Sequence, residues 1–202
     1  MPRLAERALA AAGQLALVAV GVYLGLRADE WRDARQKSVL ARRTLGNFRD
    51  EVAANRDGVR RAHPYHDSVS VGLSRLFAEQ LRTGRRLNLI QVTTESGYDG
   101  FHTVDFQSTA YDLALATQAL GELPPALGLR LARLYTRQRS LATFQDQFAQ
   151  ALLGNTPAPR DDASRPLFML QQGMRSIAVQ EVPLVAAYDS ALAAIDSTLA
   201  RR

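Results

Sequence analysis

The chain of 202 residues contains no cysteine, and Lys37 is the only lysine among its 25 basic residues. The missing cysteines exclude disulfide bonds, thiolate metal sites, iron–sulfur clusters and cysteine nucleophiles. The chain also lacks a Walker A motif, a Rossmann glycine pattern, a G-x-S-x-G elbow and an HExxH motif. We therefore expect no metal and no cofactor, and we predict that the protein is not an enzyme.

Charge is absent from a run of nineteen residues, 8–26, which stands between charged flanks. As a helix this run would be about 28 Å long, close to the ~30 Å hydrocarbon core of a bilayer. It predicts a transmembrane helix over 8–26 after an N-terminal tail, 1–7. A cleaved signal peptide and a buried core helix are the alternatives. The obvious cut after Ala28 fits a signal peptide poorly, because it would put Leu26 and Arg27 at positions −3 and −2.

Small residues and aromatic residues mark two sites in and beside this run. Gly21 and Gly25 form a GxxxG pattern, and Gly13 approximately extends the same face. Such a face lets two membrane helices approach closely, so we predict packing there against a second copy or another membrane protein. Tyr23 and Trp31 lie near the C-terminal edge, where aromatic rings favour the headgroup level of a lipid bilayer.

The orientation follows from charge on the two sides of the predicted span. A short basic tail before an uncleaved anchor usually stays inside, which would place the body of the protein in the periplasm. A count of basic residues alone favours the opposite, a cytoplasmic body. We predict the bacterial inner membrane with a periplasmic body, and keep the cytoplasmic body as the alternative.

The spacing of apolar residues in the remaining chain predicts helices, and the predicted fold class is all-α. The membrane helix is expected to continue as a stalk, 27–62, and to lead into a helical bundle, 63–202. His63-Pro64 is predicted to end the first helix. The further predicted elements are a helix over 65–81, an irregular excursion over 85–107 with a short strand at 90–94, a helix over 110–120 with a Thr109–Asp112 capping box, a helix over 126–153, a loop over 154–166, and two helices that meet near Pro183.

Few other residues suggest chemistry. His63 and His66 could contribute to a zinc site only with a distant third ligand, so we assign them capping and surface roles. His102 and Asp105 lie in the excursion, and an enzyme site or a ligand-binding sensor there is the alternative function. Arginine pairs are spread along the chain and mixed with acids, which does not predict a nucleic-acid interface.

The exit from the apolar run resembles a bacterial family of unknown function. The resemblance rests on apolar residues around Gly21, on Leu24 and Leu26, and on the run Arg27 to Arg32 with its Asp29-Glu30-Trp31 core. Looser similarity covers 111–120, 131–135 and the residues Glu181, Leu184, Tyr188 and Leu192. The resemblance implies one N-terminal membrane helix and a helical body. We expect a non-enzymatic accessory subunit of a larger membrane complex, for example a bioenergetic one.

Overall fold

A computed structural model describes the backbone of residues 2–154, 158 and 161–201, and the side chains of these residues from 21 onward except Val22. The chain is 85% helical and no strand occurs in the part described, which confirms the predicted all-α class. The described residues form five α-helices: α1 (Pro2–Thr83), α2 (Leu89–Ser96), α3 (Thr109–Ala116), α4 (Pro125–Leu153) and α5 (Ser164–Ala200). A 3-10 turn, Ala119–Glu122, precedes α4.

Helices α1, α4 and α5 form a three-helix bundle. Helix α5 runs antiparallel to α1, since Arg49 pairs with Asp196 near one end and Gln80 with Ser164 near the other. Helix α4 runs parallel to α1, because Asn55 meets Gln138 and Phe48 packs on Tyr135. Helices α2 and α3 and the 3-10 turn pack against α1.

The bundle holds two apolar cores, one after the other along its axis. The core nearer the N-terminal part of α1 includes Leu45, Phe48, Val59, Leu131, Tyr135, Leu141, Leu184, Tyr188 and Ile195. The distal core includes Val69, Leu73, Val92, Phe148, Leu167, Leu170, Met174 and Ile177. Helices α1, α4 and α5 each contribute to both cores from one stripe of side chains, as the three-to-four-residue spacing of their apolar positions requires.

The N-terminal part of α1 projects from this bundle. Every described side chain from Tyr23 to Leu40 is exposed, and Ala41 is the first buried residue. Of the predicted stalk, residues 27–40 are therefore free, whereas Ala41, Leu45 and Val52 belong to the first core. Among the residues whose side chains are described, no helix has a stretch long and apolar enough to cross a membrane, and residues 8–20 and 22 of the predicted span lie outside that part of the chain.

The predicted break at His63-Pro64 is wrong, because α1 continues through Pro64 to Thr83. A proline inside a helix loses one hydrogen bond and costs about 3 kcal/mol. The helix persists because Val59, His66 and Val69 are buried on both sides of the proline. Packing along α5 thus outweighs the local penalty.

The two helices predicted around Pro183 are likewise one helix, α5. Ile177 and Leu184 flank the proline, and both are buried. If a separate helix began at Pro183, the side chain of Ile177 or that of Leu184 would point away from its core. The predicted loop is also shorter than 154–166, because α5 begins at Ser164.

The strand predicted at 90–94 is wrong, because these residues belong to α2. The Asn88 side chain accepts from the Gln91 N–H, and the Gln91 side chain accepts from the Asn88 N–H, which makes a reciprocal capping box. Gly97 ends the helix with φ 74°, a left-handed cap that suits glycine. Both ends of this segment therefore favour a helix over the strand preference of its β-branched residues.

The capping box predicted for α3 does not form either. Ser108 precedes the helix, and its hydroxyl donates to the Asp112 carboxylate instead of capping a backbone N–H. The Ala110 N–H donates to Glu51 of α1 at 2.7 Å. The helix ends at Ala116, before the predicted Leu120, because Gln118 adopts φ 56°.

We predict that Gly173→Ala destabilises the bundle. A Cβ at Gly173 would overlap the ring of Phe148, which packs against the rings of Phe101 and Phe144 and has little freedom to move. We expect a loss of about 1–3 kcal/mol in the free energy of unfolding, measured by urea denaturation in neutral detergent. Gly46→Ala is the matched control, because its Cβ would meet no atom within 4 Å. Equal stability of the two variants would contradict the close approach of α4 and α5.

Candidate functional sites

The predicted interfacial residues Tyr23 and Trp31 lie on the free part of α1. Their exposed fractions are 57% and 66%. The guanidinium of Arg27 lies 5.5 Å from the centre of the Tyr23 ring, and that of Arg35 lies 5.5 Å from the centre of the Trp31 ring. Each ring is thus accompanied by a cation one helical turn later, a combination that suits the boundary between lipid and water.

The predicted small-residue face is open in the single chain. A Cβ at Gly21 or at Gly25 would meet no atom within 4 Å, so no part of the described bundle explains these glycines by close packing. Gly13 lies outside the residues whose side-chain surroundings are described. The Gly21–Gly25 face is therefore free for a partner outside this chain.

A buried polar layer, which we call the histidine–glutamate layer, separates the two cores. Glu181 of α5 is fully buried, and its two carboxylate oxygens contact His63 Nδ1 at 3.0 Å and His66 Nδ1 at 2.7 Å. His66 is fully buried as well, whereas the side chain of His63 is 32% exposed. Gln145 occupies the equivalent position on α4, between Leu141 and Phe148; it is buried, and its amide nitrogen has no partner among the described residues.

The geometry of His66 favours its charged form. One ring nitrogen faces the Glu181 carboxylate and the other lies 2.8 Å from the carbonyl oxygen of Phe101, so both nitrogens must donate. Burial lowers the pKa of His66, but the hydrogen bond to Glu181, the charge of that carboxylate and the Phe101 carbonyl together raise it above its ordinary value. The result is a buried ion pair between α1 and α5.

The capping and surface roles expected for the histidines are therefore wrong for His66. The sequence does carry a signal for the layer, since Glu181 lies four residues after Ile177 and three before Leu184, on the same apolar stripe. A carboxylate on such a stripe requires a buried cationic or donor partner. In the described part of the chain, no group of three or more metal-ligating side chains is arranged to hold a metal ion.

A second set of buried polar residues holds the start of α3. Glu51 accepts from the Ala110 N–H with one oxygen and from the Tyr135 hydroxyl with the other. Burial and this hydrogen bond raise the pKa of Tyr135, so its phenol stays protonated. Glu51 thus supplies from α1 the cap that the sequence around α3 does not provide.

A similar set of hydrogen bonds to the backbone lies one turn further along α1, around Asn55. Asn55 donates to the Gln107 carbonyl at 2.8 Å and accepts from the Gln107 N–H at 2.9 Å. Gln138 of α4 also donates to this carbonyl, and its oxygen accepts from Asn55 and from the buried Tyr188 hydroxyl. These side chains satisfy the backbone of a residue that belongs to no helix.

The connecting segment between α2 and α3, residues 98–108, replaces part of the predicted excursion. Tyr65 donates to the Gly100 carbonyl and stacks on His102 at 3.9 Å between ring centres. His102 has φ 46°, a left-handed backbone conformation that is uncommon for residues other than glycine, and it pairs with Asp99. Between this segment and α1 lies an open cavity of about 520 Å³ whose lining includes Arg61, His102 and Asp105.

The chain matches no protein-family model, and no curated protein or solved structure is significantly similar to it. The candidate sites are thus defined by their geometry alone.

We predict that Glu181→Gln costs roughly 3 kcal/mol of unfolding free energy near pH 6, because it leaves the buried His66 without its counter-charge. His63→Gln should cost less than about 1 kcal/mol, since that ring is partly exposed. Because the pKa of His66 is raised in the folded state, the stabilisation is complete below the ordinary histidine value and is lost as the pH rises through the folded value.

Urea denaturation at pH 6, 7 and 8 tests this, with the stability difference between wild type and Glu181→Gln as the readout. The difference should shrink as the pH rises. A difference that is constant or grows with pH would rule out the charged form of His66 as the source of the stabilisation.

Proposed function

We propose that this protein is a non-enzymatic, single-pass protein of the bacterial inner membrane that acts as an accessory subunit of a larger membrane complex. The observation that carries the proposal is the projection of α1, whose described side chains from Tyr23 to Leu40 are all exposed. A folded chain that extends a helix beyond its own core places that helix where another environment can surround it.

The free part of α1 has the character of a helix that needs such an environment. An isolated helix of this length is marginal in water, because most helical stability comes from packing of an apolar face. Tyr23, Leu24, Leu26 and Trp31 are all more than half exposed. As a helix, the uncharged run over 8–26 matches the thickness of the hydrocarbon core of a bilayer. Lipid would then cover the apolar side chains of this run.

The accessory role rests on the Gly21–Gly25 face. Glycines in a helix interior cost roughly 1 kcal/mol each relative to alanine in water. Close packing against a second membrane helix would offset that cost, and the described part of the chain supplies no such neighbour for these two residues. A partner helix, from another protein or a second copy, is the occupant that we propose. The body is proposed to stand in the periplasm.

Fractionation of cells that express the full chain with a C-terminal reporter after Arg202 tests the membrane assignment. We expect recovery in the inner-membrane fraction, an intact N-terminus by mass spectrometry, and activity of a reporter that works only in the periplasm. A soluble protein, or a mature chain that begins near Asp29, would refute the anchor. A reporter active only in the cytoplasm would reverse the orientation.

We predict that Gly21→Ile combined with Gly25→Ile abolishes association while membrane insertion remains intact, because isoleucine is more apolar than glycine but prevents close helix contact. Recovery of the partner or of a tagged second copy in mild detergent is the measurement. Val22→Ile with Leu26→Ile is the matched control, since the same spacing is displaced around the helix by about 100°. Equal recovery with both pairs would exclude the Gly21–Gly25 face as the contact.

A ligand-binding or sensor role is the second candidate, and the cavity beside the connecting segment favours it. The left-handed φ of His102 is maintained there by the stack on Tyr65 and the pair with Asp99. Retained backbone strain of this kind occurs at binding sites. Saturable binding that His102→Ala removes, without loss of partner recovery, would support this second role.

A further inference from the structure

A positively charged cavity lies between α4 and α5, and none of its lining residues belongs to the sites described above. Its volume is about 330 Å³. Arg130, Arg133 and Arg137 line it from α4, while Ala187 and Ser190 line it from α5. The small side chains of α5 leave the space, and the three guanidinium groups border it on one helix face at i, i+3 and i+7.

Within the part of the chain that the structure describes, no acidic side chain forms an ion pair with the arginines of this cavity. From residue 123 to residue 145 the sequence has four arginines and no acidic residue. The nearby acidic residues of α5 form ion pairs with α1 instead: Asp189 pairs with Arg56 and Arg60, and Asp196 pairs with Arg49. Within the described residues, Arg133 and Arg137 form no ion pair or hydrogen bond.

Arg130 is fixed in place although it is exposed. One of its terminal nitrogens donates both to the Ser190 carbonyl, at 3.1 Å, and to the Ser190 hydroxyl. An arginine that is oriented in advance loses less conformational entropy when it binds an anion. Like charges at i, i+3 and i+4 repel one another on a helix, so an anion between them would also relieve that repulsion.

We propose that this cavity is an anion site that takes a phosphoryl-bearing molecule with at least two negative charges, such as a diphosphate. Along α4 the three arginines rise by about 4.5 Å and then about 6 Å, so one compact monoanion would not reach all of them. Guanidinium groups bind phosphoryl oxygens through paired, charge-assisted hydrogen bonds, which suits Arg133 and Arg137 with their free donors.

The position of the cavity favours a soluble ligand over a lipid headgroup, and this step depends on the membrane anchor proposed above. Arg130 precedes Tyr135, which packs beside Phe48, so it is level with about Leu45 of α1. Nineteen residues of upright helix separate that level from Leu26, which places the cavity about 30 Å beyond the hydrocarbon edge. Lipid phosphates at that distance are several Debye lengths away.

Isothermal titration of the full chain in neutral detergent with pyrophosphate and with orthophosphate tests the proposal. We expect saturable binding of one pyrophosphate per chain, with weaker binding of orthophosphate. Arg133→Gln with Arg137→Gln should weaken pyrophosphate binding at least tenfold. Arg75→Gln with Arg175→Gln is the control, because it removes the same net charge from two exposed residues outside the cavity.

No saturable pyrophosphate binding, or an equal loss in both double variants, would overturn the site. A second arm compares the full chain in nanodiscs of phosphatidylcholine with and without phosphatidylglycerol. If the anionic lipid competes with pyrophosphate, the source is a headgroup and the assignment to a soluble ligand fails. The titration in detergent needs no membrane insertion, so its outcome is separate from that of the anchor experiment.

Discussion

The alignment of α1 with α5 depends on one buried carboxylate. Glu181 lies where the two apolar cores meet, and it contacts a histidine with each of its oxygens. A buried charge is tolerated only when it is paired and hydrogen-bonded, so α1 and α5 have one longitudinal register that satisfies it. A shift of either helix by one turn would leave Glu181 among the leucines of one core. The apolar residues supply most of the stability, and the histidine–glutamate layer selects the alignment.

The same logic explains how an irregular segment sits inside a helical bundle. The connecting segment has backbone groups that no helix satisfies, and side chains of α1 satisfy several of them: Asn55 at Gln107, Tyr65 at Gly100 and His66 at Phe101. Glu51 of α1 likewise accepts from the Ala110 N–H in the first turn of α3. These four side chains lie along one side of α1: Asn55 follows Glu51 by about one turn, and the consecutive residues Tyr65 and His66 follow about three turns later. Gly58, between them, leaves room for Val104, whose methyl carbon would lie 3.0 Å from an added Cβ. Helix α1 therefore contributes side chains to both cores, caps α3 and binds the backbone of the connecting segment.

The continuity of α1 joins this bundle to the proposed anchor. A single helix from Pro2 to Thr83 is about 120 Å long, and no hinge residue such as a second proline interrupts the free part between Tyr23 and Leu40. Whatever binds the Gly21–Gly25 face would be connected rigidly to the bundle and to the cavity between α4 and α5. Such an arrangement suits a brace that positions a small body at a fixed distance from its partner. It also separates the anchoring surface from the proposed anion site by more than a Debye length, so the two are independent electrostatically.

The sequence by itself determined the all-α class and, for most helices, which face is buried. The stripe of Leu127, Leu131, Leu134, Leu141, Phe148 and Leu152 predicted α4 and its buried side, because a 3.6-residue period leaves few alternatives. Only the tertiary structure decided that α1 and α5 pass through Pro64 and Pro183, since a local cost of about 3 kcal/mol is exceeded by burial on both sides. It also decided the roles of Asn55 and Gln138, which interrupt their stripes in the sequence and bind each other and the Gln107 backbone in the fold. The partners of Glu51 and Glu181 are 59 to 118 residues away along the chain. Periodicity describes which side of a helix is buried, but it carries no information about which distant side chain will face it there.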